Sequence, residues 1–167
     1  MSEIDDVTIS STSVFLTPEG YKRLQSELEE LTTQKRQEIA GRLRASKEHG
    51  EFSEDNNELD EVKFEQAIVE NRISDLKLIF AGAQIVDTDL LDDKEVNIGN
   101  YVEVKSVDNG ATFEVRIVSS IEADPDNDYV SNESPMGMAI IGAKTGETIE
   151  FEAPAGRLKY KVLKIRK

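Results

Sequence analysis

The sequence contains no cysteine among its 167 residues. Disulfide bonds and thiolate metal sites are therefore excluded, and we expect the protein in the reducing cytoplasm. Long apolar runs are missing too, since none approaches the roughly 18 residues that a membrane-spanning helix needs. The first residues, MSEIDDVTISSTS, lack the basic and then apolar pattern of a secretory signal. We expect residues 1–13 to form a disordered tail and the protein to have no membrane partner.

Positive charge is scarce: 20 lysines and arginines face 34 aspartates and glutamates, which gives a formal net charge of −14. This balance argues against general nucleic-acid binding, because duplex affinity comes mainly from neutralising phosphates. A local basic stripe remains able to contact one strand. With 38% apolar and 32% charged residues, the chain has enough apolar side chains for a modest core and is typical of proteins with long solvated helices.

Two long amphipathic helices are predicted in the first half of the chain. Thr17 suits the N-cap of the first helix, Pro18 its first position and Glu19 the positive end of its dipole. Apolar residues then recur three or four apart at Tyr21, Leu24, Leu28 and Leu31, and after a slip in register near Lys35 at Ile39 and Leu43. A second stripe follows the same spacing at Val62, Gln66, Val69, Ile73, Leu76, Phe80 and Ala83. Such narrow stripes are typical of a seam between two helices.

The connection between these helices is short, about HGEFSEDNN. A short connection makes the two helices antiparallel neighbours. We therefore predict a coiled-coil hairpin over residues 14–84, with arms of about 30 residues and a length of roughly 45 Å. A linker over residues 85–98 would join it to a second domain.

The second domain, residues 99–167, has the period of β-strands. YVEVKS and TFEVRIVS alternate around the turn DNG, and ETIEFEAP and LKYKVLKIR alternate around APAG. Between them, SPMGMAIIG predicts a short helix that begins at Ser134-Pro135 and stops at Gly142. We expect Met136 and Met138 in the core. The predicted fold class is α+β: an antiparallel helical hairpin followed by an antiparallel sheet with one short helix.

The predicted hairpin end is densely acidic. Seven carboxylates with no base between them lie there: Glu48, Glu51, Glu54, Asp55, Glu58, Asp60 and Glu61. The preceding residues 31–47 carry five bases and one acid. Acidic runs usually form solvated surface, and acids at a helix N-terminus interact favourably with the helix dipole. Their place at the end of a rod favours a second interpretation, in which they are delivered to a partner.

Carboxylates without histidine or cysteine are hard oxygen ligands, which suit Mg²⁺ or Ca²⁺. The alternating acid spacing of an EF-hand loop is missing here. A few carboxylates alone hold Mg²⁺ poorly, because the ion shares its shell with waters and phosphates. The acidic end is therefore expected to be half of a divided metal site.

Five stretches of the sequence together resemble one family. In order they are LTPEGYKRLQSELEEL, KEHGEFSED, VKFEQAIVENRISDL, AQIVD and SPMGMAIIGAKTGETIEFEAPAG. Over residues 14–167 the chain resembles the GreA/GreB transcript-cleavage factors of bacterial RNA polymerase. The resemblance implies a coiled coil followed by an FKBP-like domain, without isomerase activity.

The same resemblance implies a function. The C-terminal domain would dock on the rim of the polymerase secondary channel through the loop of Ser134, Pro135, Met136 and Gly137. The coiled coil would enter the channel, approach the active centre of a backtracked complex and stimulate cleavage of the nascent RNA 3′ end. Catalysis would belong to the polymerase, so we expect a monomeric factor that is not an enzyme by itself.

Site residues are carried over from the family by position. Glu51, Glu54 and Asp55 would be the catalytic acids, and Glu51 and Glu54 would hold a Mg²⁺ shared with polymerase and not bound tightly by the free protein. Lys47 and Lys63 would face RNA. The family commonly reads Gly-Asp-Leu-x-Glu-Asn at the tip, whereas this chain reads GEFSED and has one extra residue near Asn56 or Asn57.

Two other functions remain open at this point. The altered tip is compatible with a channel-binding regulator of the same fold that inhibits polymerase without cleavage. A coiled-coil binding protein or prolyl isomerase that shares only the architecture is a third possibility. The single histidine, His49, is interpreted as a turn residue rather than a general base.

Overall fold

The computed structural model describes residues 14–50 and 57–167, which form two compact units. One unit is Lys22–Gly82, which we call the hairpin unit; the other joins residues 14–21 to Ala83–Lys167 and is called the sheet unit. The expected tail, residues 1–13, lies outside the described residues. Residues 14–21 group with the sheet unit because strand β1 (Val14–Leu16) pairs in parallel with strand β2 (Ala83–Ile85).

The hairpin unit is built from long helices. Helix α1 (Pro18–Glu30), a π-helical turn (Leu31–Lys35) and helix α2 (Arg36–Gly50) follow one another without a break, and helix α3 is Asn57–Gly82. The seam is a buried cluster of Ile39, Val62, Val69 and Ile73, against which Leu28, Leu31 and Leu43 pack. The predicted helical hairpin is confirmed. No helix among the described residues is long and apolar enough to cross a membrane.

The slip in register near Lys35 is the π-helical turn. Leu31 and Ile39 are eight residues apart, one more than two α-helical turns supply. A π turn absorbs one extra residue, so both side chains reach the same seam. Two threonine hydroxyls donate to nearby carbonyls at this point, Thr32 Oγ1 to Leu28 O at 2.8 Å and Thr33 Oγ1 to Glu29 O at 2.7 Å.

The sheet unit contains a five-stranded sheet in the order β5-β4-β3-β7-β6. The strands are β3 (Tyr101–Ser106), β4 (Thr112–Val118), β5 (Tyr129–Ser131), β6 (Thr148–Ala153) and β7 (Gly156–Arg166), and the short helix α4 is Pro135–Ile140. Both predicted hairpins, β3 with β4 and β6 with β7, are confirmed, and α4 with them. The sheet differs from the prediction in that β5 pairs with β4 in parallel.

The segment expected to be a linker packs onto the sheet unit. It contains a 3₁₀ turn, Thr88–Leu90, and Val96 is a fully buried member of the core cluster of the unit. The Val96 N–H donates to Ala143 O at 2.9 Å, and its carbonyl accepts from Gly142 N at 2.8 Å. The residues after β2 therefore add to the core that supports α4.

Candidate functional site

The acidic end of the hairpin unit lies between α2 and α3. Helix α2 runs as far as Gly50 and α3 starts at Asn57. The predicted catalytic and metal-binding residues Glu51, Glu54 and Asp55 lie between these ends, outside the described residues. Their assignment stays a prediction. Among residues 14–50 and 57–167, no group of three or more histidine or acidic side chains is arranged to hold a metal ion.

Most of the basic stretch before this end is used inside the hairpin. Lys35 Nζ lies 3.0 Å from Glu65 Oε1, and Arg42 Nη1 lies 2.7 Å from Glu65 Oε2. Arg36 forms a two-pronged pair with Glu70, in which Nε and Nη2 each donate at 2.9 Å. These bases therefore join the π-helical turn and α2 to α3 across the seam.

These pairs also change the acidity of the α3 carboxylates. Hydrogen bonds from Lys35 and then Arg42 lower the pKa of Glu65, and the bond from Arg36 lowers the pKa of Glu70. The sequence signal for the pairs was available, because charged residues flanking a helical seam commonly pair between helices. Our sequence interpretation missed it and treated the stretch as one basic surface.

Three bases near the acidic end differ from the others. Arg44, Lys47 and Lys63 are exposed and form no ion pair with any other residue that the structure describes. Lys47 lies in the last turn of α2, and Lys63 lies in the second turn of α3. Among the residues that the structure describes, no acid pairs with the two lysines predicted to face RNA, and Arg44 shares this property.

The loop before α4 is held by a capping serine. Ser134 Oγ accepts a hydrogen bond from Gly137 N at 3.0 Å and donates to Ser131 O at 2.6 Å, while Pro135 occupies the first turn. Gly137 is buried, and a Cβ at this position would overlap Ser131 O. Two of the four predicted docking residues, Ser134 and Gly137, therefore shape the loop.

The other side chains of this loop differ in how far they are exposed to solvent. Met136 packs against the core cluster, as expected, and Pro135 is exposed. Our expectation that Met138 is a core residue is wrong, because 65% of it is exposed. It lines an apolar groove of about 750 Å³ together with other exposed side chains, among them Phe15, Ile85, Leu90 and Ile141.

Comparison with known protein families covers both units. Residues 14–85 match the family model "Transcription elongation factor, N-terminal", and residues 91–167 match "Transcription elongation factor, GreA/GreB, C-term". The chain belongs to the GreA/GreB family. The family resemblance stated from the sequence is thereby confirmed.

Two relatives identified by sequence agree with the GreA/GreB assignment over nearly the whole chain. Transcription elongation factor GreA of Caldanaerobacter subterraneus subsp. tengcongensis is 45% identical over 157 residues, which is 94% of this chain and 99% of that protein. Transcription elongation factor GreA of Clostridium kluyveri is 45% identical over 152 residues, covering 91% of this chain and 95% of the relative. Among solved structures, GreA factor homolog 1 of Thermus thermophilus is 29% identical over 93% of this chain and 99% of its own, with a TM-score of 0.43.

Proposed function

We propose that this protein is a GreA-type transcription elongation factor that stimulates the RNA-cleavage activity of bacterial RNA polymerase in backtracked complexes. The observation that carries the proposal is the family match over both units, joined to a helical hairpin whose two helices end on either side of an acidic segment. The catalytic centre in this proposal belongs to the polymerase.

The hairpin is suited to delivering its end into a narrow channel. Helix α3 has 26 residues, which corresponds to about 39 Å at 1.5 Å per residue. A buried seam and the pairs Arg36–Glu70 and Arg72–Glu27 join the two arms. Such a rod supplies reach, and we propose that it enters the secondary channel of the polymerase.

At its end, we propose that Glu51 and Glu54 offer carboxylate oxygens to a Mg²⁺ shared with the polymerase, with Asp55 beside them. Carboxylate oxygens are the ligands that Mg²⁺ accepts, and a set this small leaves the ion to share its shell with a partner. When bound, the metal would supply the charge stabilisation and water activation of two-metal phosphodiester hydrolysis.

The basic side chains without an ion pair suit the RNA substrate of this reaction. Lys47, Lys63 and Arg44 are exposed and form no ion pair with another described residue, and in this proposal their charge meets the phosphates of an extruded RNA 3′ segment. Lys35 and Arg42 are not assigned this role, because both already pair with Glu65.

The sheet unit would dock on the rim of the secondary channel. We propose that the exposed side chains of Pro135 and Met138 contact the polymerase, while Ser134, Met136 and Gly137 hold the loop in shape. The protein would act as a monomer in the cytoplasm.

One other function of the same fold is supported by a specific observation. The tip sequence GEFSED has Glu51 in place of the common aspartate, and one extra residue follows it. A tip with altered acids would fit a regulator that occupies the channel without cleavage.

The test is RNA cleavage in a stalled, backtracked polymerase complex. We expect the protein to accelerate cleavage, and Lys47→Ala and Lys63→Ala to weaken this stimulation. The matched control is Lys77→Ala, another exposed lysine of α3, about 21 Å further along the helix than Lys63. If the unsubstituted protein slows elongation and does not stimulate RNA cleavage, the inhibitory function is established instead.

A further inference from the structure

The five-stranded sheet has a core face and an outer face. The core face carries a buried cluster that includes Val104, Val162 and Ile140 of α4. Because side chains alternate between the two faces of a strand, Lys105 and Lys161, the neighbours of these valines, lie on the outer face, and both are exposed. The outer face is therefore the side of the sheet away from α4, whose loop is the proposed docking surface.

Two lysines of the outer face lie directly opposite each other. Lys105 of β3 pairs in register with Lys161 of β7, which places their Cβ atoms about 5 Å apart. Like charges in this arrangement destabilise a sheet. Thr112 of β4 lies opposite Lys105, and Thr148 of β6 lies opposite Lys161. Both threonines are exposed, so the row across four strands is Thr-Lys-Lys-Thr.

Two further lysines of β7 extend this positive charge. Lys159 and Lys164 are exposed on either side of Lys161, and their neighbours Tyr160 and Ile165 belong to the core. Side chains that follow one another on one face of a strand are about 7 Å apart. We call Lys105, Lys159, Lys161 and Lys164 the lysine patch.

Arginines already pair with most acids of the outer face. The pairs are Arg157 with Glu150 and Glu152, and Arg166 with Glu114. Within the described ranges 14–50 and 57–167, no lysine of the patch forms an ion pair. Glu103, in register with Lys164, is the remaining acid among the strand residues of this face. The patch therefore has an excess of positive charge, on a chain whose formal net charge is −14.

The chemistry of the patch favours phosphate groups as its ligand. Arginine binds carboxylates through a planar, two-pronged contact, and Arg166 makes this contact with Glu114, donating from Nε and Nη2 at 2.9 and 2.8 Å. Lysine acts as a point charge, which suits phosphate oxygens. A nucleic-acid strand presents such groups in a regular row.

We propose that the lysine patch binds the sugar-phosphate backbone of single-stranded RNA. A single strand lies flat across neighbouring β-strands, whereas a duplex presents a curved surface to a sheet. The exposed hydroxyls of Thr112 and Thr148 flank the lysines and are suited to the ribose 2′-hydroxyl, which distinguishes RNA from DNA. The row contains no aromatic side chain on which bases stack, so binding is independent of base sequence. This inference goes beyond the proposed function, which uses the sheet unit only for docking.

Binding is measured with the full-length protein in the absence of polymerase. The probe is a uridylate dodecamer, titrated into isotope-labelled protein and followed by amide chemical shifts, which separate the sheet unit from the bases of the hairpin unit. We expect the shifts to include Lys105, Lys161 and Thr148. The logarithm of the binding constant should fall with the logarithm of the salt concentration with a slope of about −2, for about three neutralised phosphates.

The variants remove charge and keep side-chain length. Lys105→Gln combined with Lys161→Gln should weaken binding about tenfold or more at about 50 mM salt and reduce the slope by about 1.4. Lys94→Gln, at an exposed lysine that precedes β3 in the same unit, is the matched control and should stay within about twofold of the parent. Thr148→Val should weaken binding of RNA and leave the salt slope unchanged, and a deoxyuridylate dodecamer should bind the parent more weakly than the uridylate.

Several outcomes would overturn the proposal. Shifts confined to the hairpin unit would do so, as would a double variant that binds the uridylate like the parent. Equal affinity for the deoxyuridylate would refute the assignment to RNA, and tighter binding of a glutamate dodecamer to the same amides would assign the patch to an acidic protein partner. A protein that stimulates no cleavage would refute the proposed function and leave this test unaffected.

Discussion

Replacing Gly137 by alanine should destabilise the sheet unit and leave the hairpin unit folded. The new methyl group would overlap Ser131 O and would lie 2.8 Å from Ser131 C and 2.9 Å from Asn132 Cα. All three are backbone atoms, so no side-chain rotation relieves the contact. Helix α4 must move away from the end of β5.

The loss in the free energy of unfolding has two contributions. Forcing an extra methyl group into a packed site costs about 1–3 kcal/mol. Moving α4 away from β5 also breaks the bond from Ser134 Oγ to Ser131 O, and loss of such a bond costs about 1 kcal/mol. We expect a total of about 2–4 kcal/mol, a large share of the roughly 5–15 kcal/mol that stabilises a typical domain.

The two units report separately in a urea titration. All four tyrosines, Tyr21, Tyr101, Tyr129 and Tyr160, belong to the sheet unit, and the chain has no tryptophan. The tyrosine band of the near-ultraviolet circular dichroism therefore follows this unit, while ellipticity at 222 nm mainly follows the long helices. With a slope of about 2 kcal/mol per molar urea, the tyrosine midpoint should fall by about 1–2 M.

Gly41→Ala is the control. Apart from its chain neighbours and the adjacent backbone of its own helix, a Cβ at Gly41, within α2, meets no described atom within 4 Å. Alanine there should stabilise the helix by about 0.5–1 kcal/mol, because glycine is a poor helix former. A Gly137→Ala protein that unfolds at the parent midpoint would refute the close-approach argument, and so would equal destabilisation by both substitutions.

Three further predictions concern acid stability, docking and metal binding. Lys35 and then Arg42 lower the pKa of Glu65 from its ordinary 4.5, so the stability that these pairs contribute is present above about pH 4.5 and is lost as pH falls through the lower, folded value. Thermal melts at 222 nm should therefore lose more stability between pH 6 and pH 3 in the parent than in Glu65→Gln, and equal losses would exclude the pairs as the cause. Met138→Ala should weaken polymerase binding without moving the tyrosine urea midpoint, whereas unchanged binding would exclude Met138 from the docking surface. Calorimetry of the free protein should detect only weak Mg²⁺ binding, and a micromolar site would contradict a divided metal site.

Local signals in the sequence predicted most of the fold. The start of α1 at Thr17-Pro18 and the start of α4 at Ser134-Pro135 follow from capping chemistry that involves only neighbouring residues. The seam between the helices was predicted from the three- and four-residue spacing of its apolar side chains. The eight-residue step from Leu31 to Ile39 marked the slip in helical register. Which kind of turn absorbs that step depends on the facing helix, so the π turn was not predictable.

Contacts between distant segments were not predictable. The residues around Glu122, IEAD, show no periodicity that would predict its burial. Its hydrogen-bond partner Thr17 is 105 residues away in the sequence. Helix α4 has six residues, too few to show which of Met136 and Met138 faces the core. At the acidic end, the identity of the acids came from the sequence and the family, and their geometry stays a prediction.

Cleavage by tip variants tests the central claim most directly. In a backtracked polymerase complex supplied with Mg²⁺, the parent should accelerate release of the RNA 3′ fragment, while Glu51→Ala and Glu54→Ala should abolish the acceleration and keep the affinity for polymerase. Glu51→Asp, which restores the common acid of the family, should keep or raise the activity. Stimulation by both alanine variants equal to that of the parent would contradict the account, because the acidic end would then contribute nothing to the reaction.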